Sequence, residues 1–161
     1  MKKYLLIAFA LVLAFLGQTV LSRYFLTPIS NLDLFLILAA YYSLKEDTVK
    51  ATLIGTAAGL VQDAFSSTII GFNGFSKTII AFFISVINAR VILNHPLTQI
   101  AVLFLATLLN GFILKGLSFF FGLKYNPELF PLMFYQAGGN CAVGIIIFRL
   151  IFFYRQKREH K

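Results

Sequence analysis

Six apolar runs follow one another along the sequence, with only short polar breaks between them. Runs of this kind predict helices, because membrane-spanning strands would alternate apolar and polar residues, and no such alternation is visible. Hydrophobic residues make up 59% of the 161 residues and charged residues only 12%. A soluble domain of this size cannot bury so much apolar surface. The sequence therefore predicts an all-α integral membrane protein, with the lipid bilayer as its main surroundings.

The runs predict six transmembrane helices in a single polytopic membrane domain that covers residues 1–161. The first run could instead be a signal peptide, but Gly17-Gln18-Thr19 lacks a small-residue cleavage pattern, and we favour a retained helix. The second run is short, so we expect Asp33 at the membrane interface. We expect Asn73 to be the N-cap of the fourth helix. The predicted helices cover about residues 4–21, 32–44, 49–64, 74–93, 97–121 and 131–154.

Most basic residues of the loops and termini lie on one side of the predicted membrane domain. The net charge is +8, but its placement at the ends of apolar runs argues against a nucleic-acid partner. Only Arg23 and Lys124 fall on the opposite side, so the positive-inside rule predicts that both termini are cytoplasmic. The basic residues of the cytoplasmic side are Lys2, Lys3, Lys45, Lys50, Arg90, Arg155, Lys157, Arg158 and Lys161.

Residues suited to catalysis or metal binding are few and scattered. His95 and His160 lie in a predicted turn and a predicted tail, without the spacing of metal ligands. Cys141 is the single cysteine, so it has no partner for an internal disulfide. No nucleophile elbow, zinc-protease motif or phosphate-binding loop is present. We therefore expect neither an enzyme nor a bound cofactor.

A row of small residues lies at helical spacing in the third run. Ala51, Gly55 and Gly59 recur every four positions, and Asp63 is next on the row. Such a ridge allows a second helix to approach backbone to backbone. The partner is either another helix of this chain or a helix of another protein, and we favour internal packing. Ala10 and Ala14 form a similar small-residue face on the first helix.

Asp63 and Lys77 are ionisable residues that flank the turn between the third and fourth helices. One hypothesis is a substrate or ion site, because charged groups within membranes are costly. The other is a structural role, as an ion pair or as a cap in which Asp63 accepts hydrogen bonds from the start of the fourth helix. We favour the structural role.

Residues 59–79, GLVQDAFSSTIIGFNGFSKTI, resemble the signature of the rod-shape-determining protein MreD family. Asn31-Leu32-Asp33-Leu34, leading to Tyr41, is similar to a second segment of that family, although a proline is usual where Asn31 and Leu32 stand. The residues of the main signature that match are Gly59, Leu60, Gln62, Asp63, Ser66, Ile70, Gly71 and Asn73.

The resemblance implies a non-enzymatic, multi-pass subunit of the cell-elongation (rod) complex in the bacterial cytoplasmic membrane, which acts in cell-shape regulation and lateral peptidoglycan synthesis. It implies contact with an MreC-like bitopic protein and, through it, with MreB, RodA and a class B penicillin-binding protein. It also implies a fold similar to the substrate-binding subunits of energy-coupling vitamin transporters. The site candidates are Ala51, Gly55, Gly59, Gln62, Asp63, Gly71, Asn73 and Lys77.

Two other functions are compatible with a small helical membrane protein. One is a small-molecule-binding subunit of an energy-coupling vitamin transporter, which the absence of tryptophan for a stacking pocket disfavours. The other is a holin-like pore, which six helices without a polar stripe disfavour.

Overall fold

A computed structural model describes residues 2–24, 32–66, 69–91, 93, 95–123 and 129–159. Within these ranges the chain forms six α-helices and no strand. Lys124 and Lys161, which the sequence analysis assigned to opposite sides of the membrane, lie outside the described residues. The helices are α1 (Lys2–Tyr24), α2 (Leu34–Ser43), α3 (Thr48–Phe65), α4 (Phe72–Arg90), α5 (Pro96–Phe120) and α6 (Leu129–Glu159).

The observed bounds of α4 and α6 differ from the predicted ones by up to five residues. Helix α4 begins at Phe72, with Gly71 as its N-cap in a left-handed conformation (φ 102°), so the prediction of Asn73 as the N-cap was wrong. The reason is that α4 is capped by a side chain of α3, as described below, and not by a residue of its own. Helix α4 ends at Arg90, before its predicted end at residue 93, whereas α6 continues to Glu159, beyond its predicted end at residue 154.

Within the described ranges, three helical segments are long and apolar enough to cross a membrane. These are Phe72–Arg90, Pro96–Phe120 and Pro131–Ile151. Helix α2 has only 10 residues, which rise about 15 Å, half of a hydrocarbon core about 30 Å thick. The prediction of six spans with cytoplasmic termini therefore stays a prediction.

Helix α2 lies at the centre of the bundle and, within the described ranges, contacts each of the other five helices. Its apolar side chains Phe35, Leu36, Ile37 and Ala40 are almost fully buried. Many large apolar side chains of the outer helices are exposed instead. An apolar exterior around a packed centre fits a protein whose surroundings are lipid.

The turn between α2 and α3 is polar. Lys50 forms an ion pair with Asp47 at 2.6 Å. The hydrogen bond from Lys50 holds the pKa of the Asp47 carboxyl below its ordinary value. Because both side chains are about half exposed, this pair contributes little to stability.

Candidate functional site

The small-residue ridge of α3 packs against α4. A Cβ atom added to Gly55 would lie 2.5 Å from Ala81 Cβ and 2.7 Å from the carbonyl oxygen of Lys77. A Cβ atom on Gly59 would overlap the backbone of Asn73, and Ala51 is fully buried. The structure therefore places this ridge in a contact within the chain, where α4 covers it.

Asp63, at the end of α3, caps the start of α4. Its Oδ2 accepts hydrogen bonds at 2.9 Å from the backbone N–H groups of Gly71 and Gly74. Its Oδ1 accepts bonds from the backbone N–H of Asn73 at 3.1 Å and from the Asn73 side-chain amide at 2.9 Å. These donors belong to the first turn of α4 and its cap, where helical N–H groups lack partners and the dipole favours an anion. The carboxylate is only 1% exposed, so it acts as an internal cap.

Lys77 is fully buried, and its ammonium lies against Asp33 instead of Asp63. The Nζ atom donates to Asp33 Oδ2 at 2.9 Å and to Asn73 Oδ1 at 3.2 Å. Because the Asn73 amide also donates to Asp63, the two predicted site residues are joined through Asn73. Among the described residues, the ion pair of Lys77 is the one with Asp33, which corrects the hypothesis of a direct Asp63–Lys77 pair.

Asp33 is a residue whose role the sequence did not reveal, since it is buried (3% exposed) and paired with Lys77. Its Oδ1 accepts the backbone N–H of Leu36 at 2.9 Å and so caps α2. Its own backbone N–H donates to Asn140 Oδ1 on α6 at 2.9 Å. The short α2 begins inside the bundle, where its first N–H groups need a protein acceptor, and Lys77 neutralises the acceptor that serves them.

Further polar contacts extend this arrangement to the remaining helices. Asn140 also donates to Thr107 on α5 at 3.1 Å. Ser76 on α4 donates to Asn110 on α5 at 2.7 Å. The Gln18 side chain on α1 accepts the backbone N–H of Leu34 at 3.0 Å. The sequence signal for these residues was a polar side chain within an apolar run, which does not identify the partner.

We call Asp33, Asp63, Asn73, Lys77 and Asn140 the buried polar network. All four carboxylate oxygens in it accept hydrogen bonds, Asp33 Oδ1 from the helix α2 that it caps and the other three from α4 and its cap. Within the described ranges, no group of three or more His, Cys, Asp or Glu side chains is placed to hold a metal ion. Of the other predicted site residues, Gln62 is only partly buried and its Oε1 atom is outside this network. The network fixes the relative positions of the helices.

Comparison with known proteins identifies the family. No curated protein sequence and no solved structure matches the chain. The model of the family described as rod shape-determining protein MreD matches residues 1–157. This match covers nearly the whole chain and confirms the resemblance seen in residues 59–79. The chain therefore belongs to the MreD family of rod-shape-determining membrane proteins.

Proposed function

We propose that this protein is a non-enzymatic, multi-pass subunit of the cell-elongation complex in the bacterial cytoplasmic membrane. The observation that carries this proposal is the family match over residues 1–157. The buried polar network supports it, because its carboxylates are occupied in joining helices and are not presented to a substrate. Its role would be to contribute to cell-shape regulation and lateral peptidoglycan synthesis through contacts between helices.

We further propose that all six helices cross the bilayer and that both termini are cytoplasmic. The distribution of basic residues supports this layout, with nine on the predicted cytoplasmic side and two on the other. Labelling of single introduced cysteines from each face of intact cells, in a Cys141→Ala background, tests it. A C-terminus that reacts only from the outer face would contradict the layout.

The proposed partner is an MreC-like bitopic protein, with MreB, RodA and a class B penicillin-binding protein reached through it. The α3 ridge is covered by α4, so a partner helix must use another surface. The Ala10–Ala14 face borders an apolar groove of about 340 Å³ between α1, α2 and α6, which we call the α1–α6 groove. A single apolar helix with small-residue contacts suits this surface.

Site-specific photo-crosslinking tests both the partner and the surface. A photo-reactive amino acid in place of Leu13, which lines the groove, should crosslink to the co-produced MreC-like protein. The matched control replaces Leu105, an exposed leucine of α5 that does not line the groove. Equal crosslinking from both positions would contradict the proposed surface. Failure of the two proteins to co-purify would contradict the proposed partner.

A further inference from the structure

A cavity of about 310 Å³ lies beside the buried polar network, between α1, α3, α5, α6 and the start of α2. The α1–α6 groove has a similar volume but is lined by Tyr41 and nine apolar residues. Half of the ten residues that line the cavity are polar, in a chain of which 59% is hydrophobic. Polar groups in such surroundings are costly unless they have hydrogen-bond partners. The polar lining residues are Gln18, Asp33, Gln62, Lys115 and Gln136.

Three of these five polar residues are already engaged within the chain. The Gln18 side chain accepts the backbone N–H of Leu34 at 3.0 Å. The Asp33 carboxylate is held by the Lys77 ammonium at 2.9 Å, and Lys115 has an interaction of its own. Because both charged lining residues are engaged, the cavity favours a neutral ligand over a charged one, which would be costly to bury without a partner.

Gln62, on α3, is a lining residue whose side chain still needs a partner. Its Oε1 atom is buried and accepts no hydrogen bond from the described residues. It precedes Asp63 in the family signature but lies outside the buried polar network, so the packing of the helices does not account for it. A buried acceptor without a donor is unfavourable, and a ligand that brings an O–H donor therefore gains from binding here.

Gln136, on α6, gives the cavity a second amide. An amide has N–H donors and a carbonyl acceptor, and a hydroxyl group likewise donates and accepts, so hydroxyl groups can pair with both amides. The rest of the wall is apolar and includes Leu114, Leu132 and Met133. Such a wall packs against C–H groups, while the few polar groups fix the orientation of the ligand.

The volume limits the size of the ligand. Since each water takes about 30 Å³ in the liquid, the cavity holds about ten water-sized units, which is enough for a single sugar ring. We propose that this cavity binds a neutral, hydroxyl-rich group of the sugar type. Gln62 accepts a hydrogen bond from one hydroxyl of the ring, and Gln136 bonds to another. The site goes beyond the proposed function and does not depend on the partner named there.

Two sources supply this chemistry, the headgroup of a glycolipid and a soluble sugar. Native mass spectrometry of the full chain, purified in a detergent without a sugar headgroup, separates them. The sugar probes are monoglucosyldiacylglycerol and methyl glucoside. The control lipids are diacylglycerol, which lacks the sugar, and phosphatidylglycerol, which carries hydroxyl groups together with a negative charge.

We expect one monoglucosyldiacylglycerol per chain to be retained and the two control lipids to be lost. Binding of methyl glucoside, with or without the glycolipid, would support the site and show that the sugar ring is sufficient. Equal retention of the three lipids without binding of methyl glucoside would overturn the proposal. Binding of neither sugar probe would overturn it as well.

Variants of the two amides test the assignment of the contacts. Gln62→Leu keeps a similar volume and removes the acceptor, so it should weaken binding of the retained sugar probe about tenfold. Because Oε1 has no donor among the described residues, the same change should leave the thermal stability of the ligand-free protein unchanged or raise it. Gln136→Leu should weaken binding severalfold. The matched control is Gln99→Leu on α5, at a position that does not line the cavity.

Folding of each variant is checked by circular dichroism and size-exclusion chromatography. A folded Gln62→Leu variant with unchanged binding would overturn the proposal, and so would an equal loss of binding in Gln99→Leu. If Gln62→Leu fails to fold, Gln136→Leu decides, and unchanged binding in it would overturn the proposal equally.

Discussion

Helices α3 and α4 pack against each other very differently from the way α1 packs on the bundle. Between α3 and α4, glycines bring the two backbones together, and the Asp63 carboxylate binds the first turn of α4. Helix α1 instead directs most of its large apolar side chains outward. Its Gln18 side chain accepts a hydrogen bond from Leu34 at the start of α2.

The difference shows that residues of this apolar chain have two roles, one in packing within the chain and one on its outer surface. Small residues and buried charges fix the geometry within the chain, because only a close approach brings their polar groups into contact. Large exposed apolar residues such as Leu5 and Phe9 on α1 lie outside the packed core and remain open to a partner helix. The comparison predicts that substitutions between α3 and α4 disturb folding and that those on the outer face of α1 do not.

The largest loss of folding stability is expected for Lys77→Met, because this change leaves the buried Asp33 carboxylate without its ammonium partner. Loss of one member of a buried ion pair costs about 3–5 kcal/mol of folding free energy. We expect a strong fall in the abundance of folded protein in membranes and in its thermal stability in detergent. The control is Lys45→Met in the exposed α2–α3 turn. An equal response of the two variants would contradict the role of the pair.

Asp63→Asn should give the next largest loss of folding stability. In the original protein, backbone N–H groups at the start of α4 donate to both oxygens of the Asp63 carboxylate. An asparagine replaces one of these oxygens with an NH₂ group, which cannot accept their hydrogen bonds. Burying donors without an acceptor costs about 2–3 kcal/mol. Thermal unfolding in detergent measures the loss, and Asp47→Asn on the exposed turn serves as the control. A variant as stable as the original protein would show that the cap is dispensable.

Two glycine-to-alanine substitutions, one at the α3–α4 contact and one at an open position, should change the stability by smaller amounts. Gly59→Ala places a methyl group against the backbone of Asn73, which should cost about 1–3 kcal/mol through overpacking. Gly138→Ala on α6 meets no other group within 4 Å, so it should be neutral or stabilise the helix by up to about 1 kcal/mol. Unfolding temperatures of the two variants would test this, and a reversed order would contradict the close α3–α4 contact.

The smallest change in stability is expected for a substitution on the outer face of α1. Leu6 is exposed, so Leu6→Ala removes a side chain that lies outside the protein core. The expected change in stability is within about 0.5 kcal/mol. A thermal-shift assay is sufficient, and a loss as large as that of Gly59→Ala would show that α1 packs as tightly as α3 does.

Several parts of this architecture could be predicted from the sequence because their signals are local. Run length and composition predicted the helices, and the spacing of Gly55 and Gly59 predicted a close helix contact. The Asp63 cap was one of the alternatives, since its donors follow within eleven residues along the chain.

The remaining contacts could not be predicted, because their partners are distant in sequence. Asp33 and Lys77 are 44 residues apart, and Asn140 is 107 residues from Asp33. A polar residue in an apolar run indicates that it needs a partner, but it does not identify which of several helices supplies one. The N-cap prediction for Asn73 was wrong for the same reason, since the cap of α4 comes from another helix.

We infer that buried charges hold the helices of this protein together. A double-mutant cycle of Asp33→Asn and Lys77→Met in detergent-purified protein tests it most directly. We predict a coupling free energy of about 2 kcal/mol or more, with the double variant more stable than Lys77→Met alone. Additive effects, with a coupling free energy within about 0.5 kcal/mol of zero, would contradict the claim.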